Sequence, residues 1–206
     1  MSTTRVFVCL AMAVMLATSL GSVAQIAEDT FQVSYFSNAT STRYGDQVIR
    51  IVNPGLRGSP LTTTSNPNVC ANLYIFDAEQ TMQACCSCKI VPNGMVTLSL
   101  TKNLLLHPVN GSIPASGVIK LVSSSLPSGT SPTSCDPSSY APAANLRATM
   151  EHLELIKPTV LPFGSLSTPF ISLAAFEPSE LSGYEFASLL SGCMNIHSTN
   201  ACTCGT

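Results

Sequence analysis

Residues 72–101 read NLYIFDAEQTMQACCSCKIVPNGMVTLSLT, and this stretch decides the fold class. Three runs in it, 72–77, 82–91 and 95–101, are rich in β-branched, aromatic and alternating apolar residues, the pattern of successive strands. Pro92-Asn93-Gly94 between the last two predicts a hairpin, because Asn-Gly accepts positive φ at low cost. If Ala78-Glu79-Gln80 closes the first hairpin, Cys70 falls opposite Cys88 and Leu73 opposite Cys85. Cys70–Cys88 is then the expected cross-strand bridge. In that register Tyr74, Phe76, Met82 and Cys86 share one face, and Ala71, Leu73, Ile75 and Cys85 the other. Apolar character on both faces suits a central strand of a sandwich.

Working outward, residues 30–36 (TFQVSYF), 47–52 (QVIRIV), 116–123 (SGVIKLVS) and, as the last strand, 169–174 (PFISLA) read as further strands. Residues 145–156 are ambiguous in period, and their setting among short strands favours β. Asn53-Pro54-Gly55 stops the second strand with a turn, and residues 61–68 read as polar loop. Residues 178–191 form the one helix candidate, with Pro178 at its start, an apolar stripe of Leu181, Tyr184, Ala187 and Leu190, and Gly192 as its C-terminal cap. The expected architecture is mainly β: an antiparallel β-sandwich, immunoglobulin-like or related, with one short C-terminal helix and stabilising disulfides. No repeat of fixed period is present.

The N-terminus reads as a secretory signal. Arg5 gives a positive start, residues 6–16 an apolar core, and Ser22-Val23-Ala24 the small residues that precede cleavage. Thr18, Ser19, Gly21 and Ser22 interrupt the apolar run well short of the ~20 residues a membrane span needs. The expected division is a signal peptide, 1–24, and a single disulfide-bonded domain, 25–206, containing a Ser/Pro-rich loop at 126–142. Location is then secreted, periplasmic or extracellular, with no membrane insertion after cleavage. Only 10% of residues are charged and the formal charge is −2; loss of the single positive charge of Arg5 takes it to −3. A nucleic-acid partner would require a basic stripe, which is missing. The expected partner is an unidentified extracellular molecule or surface. Two sequons, Asn38-Ala39-Thr40 and Asn110-Gly111-Ser112, bear on glycosylating hosts alone.

Of nine cysteines, Cys9 lies in the leader. The eight disulfide candidates are Cys70, Cys85, Cys86, Cys88, Cys135, Cys193, Cys202 and Cys204. An even set in an exported chain points to full pairing, with 105 possible connectivities. Side-chain alternation sends Cys85 to the face opposite Cys86 and Cys88, so the cluster needs partners on both faces, with Cys202 and Cys204 among them. Cys135 is the natural tether for the Ser/Pro loop, and Cys193 for the helix. Two other chemistries use the same residues. Cys85-x-x-Cys88 has thioredoxin-like spacing, but a strand flanks it on either side where a redox site needs a helix N-terminus. A Zn²⁺ or Cu(I) site could draw on Cys85, Cys86, Cys88, Cys202, Cys204 and His197, although oxidation outside the cell opposes it.

Catalytic signatures are sparse. His152-Leu153-Glu154 matches half of a zinc-deaminase motif and lacks its Pro-Cys-x-x-Cys half. His107 and His197 are scattered. His197, Cys193 and Met194 have the wrong spacing for blue copper. A glycosidase-like pair of acids could be drawn from Asp77, Glu79, Glu151 and Glu154. The sequence therefore assigns no catalytic, metal or cofactor-binding residue. A secreted hydrolase with an unrecognised site stands third, behind a structural, adhesive or ligand-binding role and an extracytoplasmic metal-binding role.

The string Cys70-Ala71-Asn72-Leu73-Tyr74-Ile75-Phe76-Asp77, with Gln80, Cys85-Cys86-Ser87-Cys88, Pro92-Asn93-Gly94 and the closing Cys202-Thr203-Cys204-Gly205, resembles a group of secreted, cysteine-containing bacterial proteins of unassigned function. The resemblance implies secretion and bacterial origin, and carries over no catalytic residue.

Overall fold

Strands whose residues alternate between apolar and polar bury one face, and those apolar throughout must bury both. In the computed structural model, which describes residues 30–41, 46–55, 68–126, 135–143, 146–156, 168–199 and 202–204, these two kinds of strand sort into two antiparallel sheets. The chain runs β1 (Phe31–Phe36), β2 (Val48–Val52), β3 (Val69–Asp77), β4 (Met82–Ile90), β5 (Met95–Ser99), β6 (Gly117–Ser125), β7 (Arg147–Ile156), β8 (Thr168–Ala175), β9 (Glu177–Pro178) and α1 (Gly183–Ile196). The first sheet has the order β4-β3-β6-β1-β9 and the second β5-β2-β7-β8. The expected mainly-β, two-sheet architecture with one C-terminal helix is what the chain adopts.

The core lies between the sheets. Leu73, Ile75, Ile119 and Leu121 of the first sheet meet Ile49, Ile51, Leu98 and Met150 of the second, all fully buried. The first sheet is covered on its outer side too, where Phe31, Tyr74, Cys85 and Val122 pack against Leu189 and Cys193 of α1. This explains why β3 is buried along almost its whole length and why residues 72–77 are apolar on both faces. Lys120 on β6 reaches Glu185 of α1 at 2.5 Å while standing 5.0 Å from the centre of the Phe76 ring, a second tie between helix and sheet.

The structure corrects sequence expectations at three places: the turn at residues 92–94, the β3–β4 pairing and the C-terminal helix. Pro92-Asn93-Gly94 does not close a hairpin: β4 belongs to the first sheet, and β5 pairs with β2 in the second. Asn93 does take positive φ, but the turn carries the chain across the sandwich. It pairs there with the other turn read from the sequence, since Asn93 N donates to Asn53 O at 2.8 Å and Asn53 N to Gly94 O at 3.0 Å. The two local turn signals thus recognise each other rather than folding the flanking strands together.

The β3–β4 register is one residue away from expectation. Ala71 faces Cys88, Leu73 faces Cys86 and Tyr74 faces Cys85, with an irregularity between Ile75 and Phe76. The connection is longer than expected: Asp77 Oδ1 accepts from Thr81 N at 2.8 Å, and Gln80 takes positive φ. Because strand side chains have period two, a one-residue slip reverses every facing. Cys85 therefore joins Tyr74, Phe76 and Met82 on the outer face, and Cys86 joins Ala71, Leu73 and Ile75 inside.

The helix starts and ends five residues later than expected. Pro178 is in β9, paired to Gln32 of β1, so residues 169–174 are not in the last strand. Ser182 is the N-cap, its hydroxyl accepting from Glu185 N at 3.1 Å, which satisfies one of the unpaired donors of the first turn. Gly192 is mid-helix, not a cap. A Cβ on it would lie 2.8 Å from Met82 Cε, the mobile end of a flexible side chain, so the helix lies close against β4 at this point. The buried stripe is Leu189 and Cys193, with Leu181 and Ile196 beside it; Tyr184 is 88% exposed. Cys193 is bonded to the sheet and lies on the buried side of the helix, whereas Tyr184 and Ala187 of the stripe read from periodicity are exposed.

The proposed leader, residues 1–24, lies outside the described residues. So do most of the 61–68 loop and residues 127–134 of the Ser/Pro-rich loop.

Candidate functional site

All eight candidate cysteines pair, in four disulfides: Cys70–Cys135, Cys85–Cys193, Cys86–Cys202 and Cys88–Cys204, with Cα–Cα distances of 5.2 to 5.8 Å. The expected Cys70–Cys88 bridge does not form. Cys70 lies beside Lys89, and Cys88 is turned to the interior. Three bonds radiate from β4 to the C-terminal region, as alternation requires. Cys85 goes outward to α1. Cys86 and Cys88, two residues apart on the inner face, go to Cys202 and Cys204, also two residues apart.

The last two bonds form a ladder between β4 and a short strap, residues 202–204. Cys202 N donates to Cys85 O at 3.3 Å, and Thr203 N to Asn103 O at 3.0 Å. Asn103 Nδ2 donates in turn to Thr203 Oγ1 at 3.1 Å. Asn103 belongs to a π-helical turn, Leu100–Leu104, that follows β5. Asp46 holds this turn, accepting from Thr101 N at 3.1 Å and Thr101 Oγ1 at 2.8 Å, and from Ser99 Oγ. The strap thus closes the flank of the sandwich where edge strand β4 faces edge strand β5. Neither Asp46 nor Asn103 stands out in the sequence, because nothing local marks a contact made more than fifty residues away.

The fourth bond, Cys70–Cys135, holds residues 135–143 over the outer face of the first sheet. Tyr74 Oη donates to Pro137 O at 2.7 Å and lies 2.7 Å from Tyr140 Oη. Tyr140 in turn meets Phe186 of α1 edge-on, at 5.4 Å between centroids. Asn72, fully buried, donates through Nδ2 to Val122 O at 2.9 Å and accepts from Ser87 Oγ at 2.6 Å. Burial pushes both phenol pKa values well above the ordinary tyrosine value; for Tyr74 the Tyr140 neighbour adds to it.

A phenol whose pKa is raised by folding contributes stability that is intact below the unfolded value of about 10 and declines above it. The protein is therefore expected to lose about 1.4 kcal/mol per pH unit above pH ~10 from Tyr74 alone. Denaturant midpoints measured from pH 8 to 11.5 check this. A Tyr74→Phe variant should flatten the alkaline decline.

The other candidate residues remain apart. His152 is buried, 2% exposed, with its ring stacked on Tyr35 at 4.4 Å. Glu151 pairs with Arg50 at 2.7 Å on the outer face of the second sheet. Asp77 serves its turn, receiving Gln83 Nε2 at 2.7 Å and Asn110 Nδ2 at 3.4 Å, while Glu79 is exposed on that turn. The side chain of Glu154 lies outside the described residues. His107 is exposed beyond the π-turn, and His197 is the C-cap of α1. Among the described residues no group of three His, Cys, Asp or Glu side chains is arranged to hold a metal ion, and no helix is long and apolar enough to cross a membrane.

The outer face of the second sheet stays in contact with solvent. Met95, Ile171 and Leu173 are 60 to 64% exposed there, around the Arg50–Glu151 pair. Leu173 lies opposite Glu151 and Ile171 opposite Leu153 on edge strand β8. These side chains contribute little to folding, so Leu173→Ser is expected to change stability by less than about 0.5 kcal/mol in a thermal melt.

Comparison with protein-family models, with curated proteins and with solved structures finds no match to the chain.

Proposed function

We propose that this protein is exported by a cleaved leader and acts outside the bacterial cytosol as a disulfide-bonded β-sandwich, with a structural, adhesive or ligand-binding role. The observation that carries this reading is the pairing of all eight cysteines beyond residue 24. Bonds of this number persist in oxidising compartments and are rare where thiols are kept reduced. Arg5, the apolar residues 6–16 and Ser22-Val23-Ala24 supply the matching address. The cysteine pattern's resemblance to secreted bacterial proteins supports the same assignment. Side chains that would serve catalysis are instead held in structural contacts: Asp77 in its turn, Glu151 with Arg50, and His152 against Tyr35. That distribution favours a binding or structural role over hydrolysis.

The test is expression with the native leader in a bacterial host, followed by alkylation of freshly isolated protein without reductant. The expected product begins at Gln25 and takes up no alkylating agent. A chain that keeps Met1 and alkylates at all nine cysteines would overturn the assignment. Stoichiometric Zn or Cu lost on alkylation would establish the metal-binding alternative instead.

A further inference from the structure

We propose that the two-rung ladder between β4 and the C-terminal strap is a redox latch, opened at both rungs by a single two-electron reduction. Burial separates the bonds: Cys85 and Cys193 are fully enclosed, and Cys86, Cys88 and Cys202 are 1 to 8% exposed, whereas Cys204 is half-buried. Cys204 is thus the least buried residue of the ladder, with its Sγ 3.3 Å from Ser87 O, and is where an external reductant would enter. Cys135 is also half-buried, but its bond has no neighbouring disulfide to which a released thiolate could pass. The ladder has one two residues away at both ends.

The chemistry balances with an external dithiol as reductant. One thiolate of the dithiol attacks Cys204 Sγ and expels Cys88 as thiolate. The second thiolate of the dithiol closes on the mixed disulfide, leaving as a cyclic disulfide and releasing Cys204 as thiolate. Cys204 then attacks Cys202 Sγ, forming Cys202–Cys204 and expelling Cys86. The Cys86 and Cys88 thiolates take up the two protons the dithiol gave up. Two electrons have moved from dithiol to protein, and both bonds between strap and sheet are gone.

Backbone pairing sets the direction of this relay. β4 is hydrogen-bonded to β3 through Cys86 and Cys88, which keeps these two residues extended, about 6.7 Å apart at two strand steps. That is at the upper limit of Cα separation for a disulfide, so the sheet side resists pairing with itself. The strap is held by two backbone hydrogen bonds and the Asn103–Thr203 side-chain contact, and can bend to close its own Cys-x-Cys ring. Cys85 takes no part, being on the opposite face and bonded to α1. Opening the latch leaves Cys85–Cys193 and Cys70–Cys135 intact and uncovers two thiols on the inner face, at the flank between β4 and β5.

The experiment treats the folded, oxidised protein with one equivalent of dithiothreitol, blocks thiols with N-ethylmaleimide, and maps the peptides by mass spectrometry. The expected result is alkylation at Cys86 and Cys88, with Cys202 and Cys204 linked to each other. Alkylation at Cys88 and Cys204 with Cys86–Cys202 retained would overturn the relay, as would first labelling at Cys70 and Cys135. In Cys204→Ser the relay has no attacking sulfur. Cys86 labelling by the same treatment should fall from most chains to almost none, and persistence of that labelling would also overturn the proposal.

Discussion

Replacing Cys70 and Cys135 together by alanine is expected to lower stability by about 4 kcal/mol, the largest loss from removing any one disulfide of this protein. The bond closes a loop of 65 residues, and no other disulfide duplicates that constraint. The three bonds from β4 behave differently, although each spans 108 or 116 residues. They start within four consecutive positions and end within twelve, so any one of them closes most of the loop for the others. With Cys86–Cys202 in place, Cys85–Cys193 restricts roughly ten further residues and is worth about 3 kcal/mol; Cys88–Cys204 restricts still fewer and is worth about 2 kcal/mol or less. Guanidinium unfolding of the three double-alanine variants would measure the order. The denaturant slope should rise most for Cys70→Ala/Cys135→Ala, because its unfolded chain expands most. A smaller loss there than in Cys88→Ala/Cys204→Ala would show that sequence separation is the wrong measure of these bonds. Alanine is the better replacement, since a serine hydroxyl at buried Cys70 would need a hydrogen-bond partner.

Gly117→Ala is the second large effect, expected to cost about 3 kcal/mol or more. Gly117 starts β6 between Phe36 on β1 and Asp77 on β3. A Cβ there would lie 1.9 Å from Phe76 O and 2.7 Å from Phe36 Cζ. The ring could swing aside, but the carbonyl belongs to a paired strand and cannot move without breaking the ladder. For a chain of this length the expected fall in Tm is about 6–12 °C. Gly111→Ala is the control. Its site is open and its φ is +71°, so it carries backbone strain without a clash and should cost only about 1 kcal/mol. Equal melting temperatures for the two variants would remove the steric explanation.

Much of the strand inventory was legible because alternation is a property of neighbouring residues. Residues 30–36, 47–52 and 116–123 contain or overlap β1, β2 and β6, and the ambiguous 145–156 became β7. The cysteine geometry was partly legible for the same reason: Cys85 had to face away from Cys86 and Cys88, and the C-terminal pair, the Ser/Pro loop and the helix each had to receive a bond. The register was not legible, since a single irregularity near Ile75 and a longer turn at Asp77 reverse every facing on β4. The helix phase was misread because Tyr184 and Ala187 fit a 3.6-residue period as well as Leu189 and Cys193 do.

The sequence by itself determined that this chain makes short amphipathic and doubly buried strands, and that its cysteines must reach both faces of one of them. Only the tertiary structure decided that β5 leaves β4 for β2, that Cys88 takes Cys204 rather than Cys70, and that Cys86 and Cys88 share one strap. Facing is set by the backbone at each residue, whereas partnership is set by segments far away in the chain, as much as 116 residues for Cys88 and Cys204, and no local pattern carries that distance.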